Sequence, residues 1–241
     1  MTITSIPLEY HAGNTRLRGS LCRDTGIKES RPGVLVVHEA WGCNAYAKSR
    51  ARQLAELGYV ALALDMYGDG RSAEDLDGAM ALYGEAMADP AAMRARFEAA
   101  LVTLREQPGV DADRIAAIGY CFGGTVVTQM ALDGLDLQLV ASFHGGLAVR
   151  PPEPPVPVTA KVLVCHGEAD VLVPPETVAA FKAAMAQGGA QLEFVNYPGA
   201  MHGFSNPGAT EKGRKFDMPV AYDAATDADS WQRLQQALQA L

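Results

Sequence analysis

Residues 114 to 132 read RIAAIGYCFGGTVVTQMAL, an apolar run to Gly119, then Cys121, then a Gly-Gly pair opening a helical stretch. Gly119-Tyr120-Cys121-Phe122-Gly123 fits the pattern G-x-nucleophile-x-G, the sharp strand-to-helix turn that holds a nucleophile in a strained backbone conformation. Glycines are expected on either side because the chain passes close to its neighbours, where side chains would clash. A helix starting just after Cys121 aims its N–H groups and positive dipole end at the sulfur, which favours the thiolate. Serine is the usual residue at such a turn, and cysteine is the departure here.

A nucleophile of this kind needs a base, and the base needs an orienting acid, in the chain order nucleophile, Asp or Glu, His. Asp170 in HGEAD and His202 in PGAMHGF supply both in that order. Taken singly, Cys121 reads as a small core residue and His202 as a surface-loop histidine. Together, each just beyond a strand, the three residues point to catalysis.

The elements that must position them follow from periodicity. SIPLEY and TRLRGSLCR, separated by HAGN, form a hairpin pattern. GVLVVHE, YVALALDMY and RIAAIGY are short apolar runs of buried-strand type, and LVASFHG, AKVLVCHG and QLEFVNYPG extend the set to eight strands. Helical patterns run from Ala45 to Leu57, through MRARFEAALVTL with Met93, Phe97, Ala100 and Leu104 on one face, and from Pro175 to Gln187. The tail from Tyr222 to Leu241 is amphipathic, with Trp231, Leu234, Leu238 and Leu241 together. The order predicts an α/β chain, a mostly parallel, doubly wound sheet of eight strands with helices on both faces, as one domain over residues 1–241. The Pro-rich VRPPEPPVPVT reads as an excursion at the sheet edge. Such sheets carry their chemistry beyond the carboxyl ends of the strands, where HEAWG, DMYGDG, GYCFGG, HGEAD and GAMHGF all fall.

Composition narrows the function classes. With 49% apolar and 20% charged residues over 241 positions, the chain is of ordinary globular type. A net charge of -8 and the lack of any basic run argue against nucleic acid as a partner. No segment approaches the ~18 apolar residues of a membrane helix, so no membrane partner and a cytoplasmic location are expected. The four cysteines and five histidines are scattered without zinc spacing, so neither a metal nor another cofactor is expected. Oligomeric state is left open.

HEAWG, GYCFGG, HGEADVLVP and GAMHGF together resemble the dienelactone hydrolases, a cysteine branch of the α/β-hydrolase superfamily, over nearly the whole chain. The resemblance implies an α/β-hydrolase core and a Cys121-His202-Asp170 triad that cleaves small esters or lactones through a thioester acyl-enzyme. It also implies that Glu39 contacts the resting thiol and helps remove its proton once substrate displaces it. The backbone N–H groups of Phe122 and Ala40 would form the oxyanion hole. Family members that take the anionic lactone hold its carboxylate with arginines, one of them four residues after the catalytic histidine. Asn206 stands at that position here, and Arg71, Arg94 and Arg96 are the remaining candidates, so neutral substrates are expected in place of dienelactone. A neutral organophosphate triester is an alternative substrate, since attack at phosphorus also places negative charge on one oxygen.

Trp41, Tyr83 and Phe204 are expected pocket walls by position, with Tyr46, Tyr67 and Met87 as further candidates. His144 reads as a structural or pocket-lining residue, His38 and His166 as strand-end residues hydrogen-bonded to neighbouring loops, Cys22 and Cys165 as inert packing thiols, and Cys43 as an open question near Glu39. A non-catalytic α/β binding module would need no base and acid at strand ends. A dinucleotide site would need G-x-G-x-x-G after an early strand, and GYCFGG has the wrong spacing and lies mid-chain.

Overall fold

The computed structural model describes all residues, 1–241. Its elements run β1 (Ile3–Ala12), β2 (Thr15–Asp24), β3 (Arg31–Val37), α1 (Ala45–Glu56), β4 (Val60–Leu64), α2 (Leu76–Ala88), α3 (Pro90–Arg105), β5 (Val110–Tyr120), α4 (Phe122–Leu132), β6 (Leu139–Phe143), β7 (Lys161–Gly167), α5 (Pro175–Gln187), β8 (Gln191–Tyr197), α6 (Ala209–Phe216) and α7 (Ala224–Leu238). The strand order is β1-β2-β4-β3-β5-β6-β7-β8. Two compact units, Met1–Ala117 and Ile118–Leu241, divide the chain. No helix is long and apolar enough to cross a membrane.

In the first unit, β1 and β2 pair antiparallel with Ala12 opposite Thr15, leaving Gly13 and Asn14 as the turn. β3 and β4 pair in parallel from Gly33↔Val60 to Val37↔Leu64, so both strands end at the same level. All five residues of β4 are buried, as expected of a strand covered on both faces. Just beyond that edge, the fully buried Asp65 carboxylate accepts N–H bonds from Tyr67 and Gly68 on one oxygen and from Arg18 and Gly70 on the other, at 2.8 to 3.1 Å. These bonds shape the DMYGDGR loop. Helix α1 starts on the Asn44 side chain, which accepts from the N–H of Tyr46 and Ala47, and α3 starts on Asp89 with Pro90 in its first turn.

In the second unit, β6, β7 and β8 are parallel, with Phe143↔Cys165 and Gly167↔Tyr197 in register. Every residue of α4 is buried, and its polar side chains Thr125, Thr128 and Gln129 are hydrogen-bonded. The Pro-rich excursion lies elsewhere than its sequence pattern indicated. It joins β6 to β7, which are neighbours inside the sheet, and β8 is the edge strand. A parallel pair needs a return crossover, and here an extended proline-rich chain supplies it, anchored where Val158 N–H donates to the Gly188 carbonyl at 2.8 Å.

Periodicity located α1, α3, α5 and α7 but not α2 or α6. Helix α2 buries only Ala79 and Ala86 and contains Gly78 and Gly84, and α6 buries only Ala209. Neither carries the apolar stripe by which a helix is read from sequence.

The passage from β5 to α4 leaves no room at Gly119, where an added Cβ would overlap the Gly123 carbonyl group. Because that obstacle is backbone, Gly119→Ala should cost about 3 kcal/mol, lowering Tm by roughly 6–12 °C in thermal unfolding. An unchanged Tm would show that the turn has slack.

Candidate active site

Cys121 occupies the single residue between β5 and α4, at φ 53° and ψ -115°. A non-glycine residue rarely adopts a positive φ, and holding one costs about 1–3 kcal/mol. The backbone supplies the restraint. Cys121 N–H donates to the Phe143 carbonyl at 3.1 Å, and its own carbonyl accepts from Gly124 N–H at 3.0 Å and Thr125 N–H at 3.3 Å. No side chain caps the start of α4. Of the four free cysteines, Cys121 is the one that is not buried.

Asp170 and His202 come from loops knitted to each other. Beyond the β7–β8 pairing, Glu168 N–H donates to the Tyr197 carbonyl and Ala169 N–H to that of Ala200, both at 3.0 Å, and Asp170 N–H turns back to Gly167 at 3.1 Å. The approach is so close that a Cβ at Gly167 would overlap the Ala200 carbonyl. The Gly in HGEAD is thus part of the site's framework, a role its sequence context did not disclose. On its far side His202 bridges Val220, and its carbonyl accepts from Ala221 N–H at 3.1 Å.

These restraints set His202 Nδ1 2.8 Å from Asp170 Oδ2, with the Asp170 side chain fully buried. The other carboxylate oxygen accepts from Leu172 N–H at 3.0 Å. A carboxylate only accepts, so Nδ1 carries a proton and Nε2 is the ring atom left to exchange one. Burial alone pulls the His202 imidazolium down. Its interactions with the Cys121 sulfur and the Asp170 carboxylate outweigh burial and hold His202 well above an ordinary histidine. His144 packs edge-on to His202, ring centroids 5.3 Å apart, while its Nε2 and Ser205 Oγ lie 2.8 Å apart in a hydrogen bond.

In the first unit, the loop after β3 carries Glu39, Ala40 and Trp41. Glu39 and Trp41 are buried and Ala40 is half-buried. The Glu39 carbonyl accepts from His38 Nδ1 at 2.6 Å and from Gly42 N–H at 3.2 Å, and the Ala40 carbonyl accepts from the Tyr67 hydroxyl at 2.9 Å. His38 Nε2 in turn accepts from Met66 N–H at 3.2 Å. A carbonyl can only accept and an amide N–H can only donate, so this ring is the neutral Nδ1–H tautomer. Consistently, burial pushes the His38 pKa down to about 4.

The family model of the dienelactone hydrolases matches residues 18–241. This chain belongs to the dienelactone hydrolase family. It is 36% identical, over 100% of its length and 99% of the other, to a dienelactone hydrolase-like promiscuous phosphotriesterase, P91, from metagenomic libraries, with a TM-score of 0.94. It is 38% identical to m3DLH over 99% and 98% of the two chains, also at a TM-score of 0.94. The esterase Est2 of Thermogutta terrifontis, at 18% identity over 97% and 91% of the chains and a TM-score of 0.65, shares the fold.

In this dienelactone hydrolase family member the remaining thiols are removed from chemistry. Burial pushes Cys43 and Cys165 up to about 12, so both stay protonated, and Cys22 is buried beside the Ser5 hydroxyl. Arg71 is gripped in a fork by the Glu85 carboxylate, with both contacts at 2.8 Å. Arg94 pairs with Glu98, and Arg96 donates to the Met66 carbonyl at 2.8 Å. Asn206 is buried and its side-chain oxygen accepts from Gly208 N–H. Of the expected pocket walls, Tyr83 is half-buried on α2 and Trp41 is 8% exposed. Phe204 departs from expectation. It has no exposed surface and packs between His144 and Tyr197, at 5.1 and 5.7 Å between ring centroids, so it props the site from within and presents no wall to solvent. No group of three or more His, Cys, Asp or Glu side chains is arranged to hold a metal ion.

The opposed environments of His38 and His202 are open to a direct check. In an NMR titration of the histidine rings, His38 should stay neutral down to about pH 4 and His202 should titrate well above the ordinary value. Cys121→Ala removes a partner that raises His202, so its titration should move to lower pH while that of His38 stays in place. An unmoved His202 would mean that the sulfur is not the cause.

Proposed function

We propose that this family member hydrolyses small, uncharged esters or lactones by covalent catalysis at Cys121. The observation that carries the reading is the buried Asp170–His202 hydrogen bond joined electrostatically to the one cysteine that is not buried, itself held at a positive φ at the start of α4. His202 takes the thiol proton, and the sulfur attacks the carbonyl carbon to form a C–S bond. The resulting oxyanion is received by the backbone N–H groups of Phe122 and Ala40. Collapse breaks the C–O bond, the leaving alcohol takes the proton from His202, and a thioester remains. Water, deprotonated by His202, then releases the acid and restores the thiol. Asp170 keeps the ring in its tautomer and offsets its positive charge. Glu39 assists removal of the thiol proton when substrate enters.

The preference for uncharged substrates rests on Arg71 and Asn206. The Arg71 charge is already balanced by Glu85, and Asn206 puts a neutral amide where anion-binding relatives carry an arginine. A second reading is favoured by the 36% identity to a promiscuous phosphotriesterase. A neutral phosphotriester offers the same thiolate an electrophilic phosphorus, with developing charge on one oxygen.

Cys121→Ala should lose at least about 10⁴-fold in kcat for p-nitrophenyl butyrate, and Cys121→Ser should retain only a remnant, because a hydroxyl needs full general-base help in a site shaped for sulfur. Undiminished hydrolysis in purified Cys121→Ala would overturn the mechanism. In a substrate panel, neutral p-nitrophenyl esters and lactones should show higher kcat/KM than dienelactone, whereas the reverse order would require a carboxylate clamp. Any turnover of paraoxon should disappear together with esterase activity in Cys121→Ala, and its survival would place that activity at another centre.

A further inference from the structure

The Glu39–Ala40 peptide is restrained from its carbonyl side. Its oxygen accepts from His38 Nδ1 at 2.6 Å and from Gly42 N–H at 3.2 Å, which uses both lone pairs. A trans peptide is planar, so fixing the direction of the Glu39 C=O fixes the opposite direction of the Ala40 N–H. Withdrawal of electron density toward a doubly bonded carbonyl oxygen also makes the N–H of the same amide a stronger donor, as in chains of polarised hydrogen bonds. His38 is well suited to this task. It has no exposed surface, its ring lies 4.7 Å from that of Tyr67, and Met66 N–H holds its Nε2 so that the proton must sit on Nδ1. The Tyr67 hydroxyl then fixes the next carbonyl, that of Ala40.

We infer that His38 is a positioning residue for the hydrolytic reaction, acting through the Glu39–Ala40 peptide to aim and strengthen the Ala40 N–H. The inference rests on the reading above of that N–H as an oxyanion donor. His38 touches no substrate, and its contribution arises only as charge develops on the oxyanion. It should therefore appear in kcat and leave KM nearly unchanged.

The two ring nitrogens do different work, and two substitutions separate them. Asn at position 38 can place an amide N–H where Nδ1 stands but cannot reach Met66. Gln can place an oxygen where Nε2 stands but cannot supply the donor to Glu39. With p-nitrophenyl butyrate, His38→Asn should keep kcat within about threefold of wild type, while His38→Gln and His38→Leu should each lose about tenfold or more in kcat with KM within about twofold, a part of the effect of deleting an oxyanion donor. Thermal unfolding should rank Asn and Gln the other way, with His38→Asn the less stable because Met66 N–H is left buried without a partner.

Activity that follows Tm across the three variants would overturn the inference in favour of a purely structural role. Replacing Ala40 by lactic acid, which exchanges only the N–H for an oxygen, separates the two levels of the argument. If that backbone ester loses kcat about 10²-fold while His38→Gln and His38→Leu do not, the inference about His38 fails and the oxyanion reading stands. If the backbone ester keeps full kcat, the oxyanion reading fails and takes the inference with it.

Discussion

The proposed chemistry depends on one backbone constraint, that a residue with a side chain be held at positive φ between a strand and a helix. Left to itself Cys121 would relax, because the conformation costs about 1–3 kcal/mol. Its N–H is fastened to the Phe143 carbonyl, its carbonyl to the first turn of α4, and α4 is buried along its whole length. Gly119 supports the same turn by omission, because any side chain there would meet the Gly123 backbone. The thiol is thereby left as the one cysteine sulfur that is not buried.

Electrostatics are arranged by selective pairing. Burial alone drives histidines neutral and cysteines protonated, and that is the state of His38, Cys43 and Cys165. His202 is almost equally buried but interacts with Asp170 and Cys121, and these two partners reverse the effect of burial. Of the buried histidines His38 and His202, only His202 is thus held ready to gain a proton, while His38 stays neutral and Cys43 and Cys165 stay protonated. In the proposed mechanism this matters because a base must gain and return a proton in each half-reaction.

Rigidity within each unit comes from hydrogen bonds made by its loops. In the second unit the Asp170 and His202 loops are tied through Tyr197, Ala200 and Gly167, and in the first the loops after β3 and β4 are tied through the Tyr67 hydroxyl and the His38 ring. Loops of this kind usually move more than the strands they join. Here each is secured by a neighbour at the same level of the sheet, because the parallel strands end in register.

The sequence by itself determined the α/β class, all eight strands, five of the helices and the family, and it singled out Cys121, Asp170 and His202 as the residues of the proposed triad. Each of these is written locally, as apolar runs of strand length, as an apolar stripe on one helix face, or as a short motif at a strand end. Tertiary structure decided the rest. Helices α2 and α6 bury too few side chains to show a stripe. The proline-rich crossover took its place between two interior strands because strand order is a property of the whole sheet. Phe204 became a prop under His144, Ser205 its hydrogen-bond partner, and Gly167 the point of contact between two loops. His38 illustrates the reason most directly. As a letter beside Glu39 it is any buried histidine, and its tautomer and its hold on the Glu39 carbonyl exist only because Met66, from another strand end, approaches its second nitrogen. Contacts between residues distant in the chain carry no local signature, so only the folded chain reveals them.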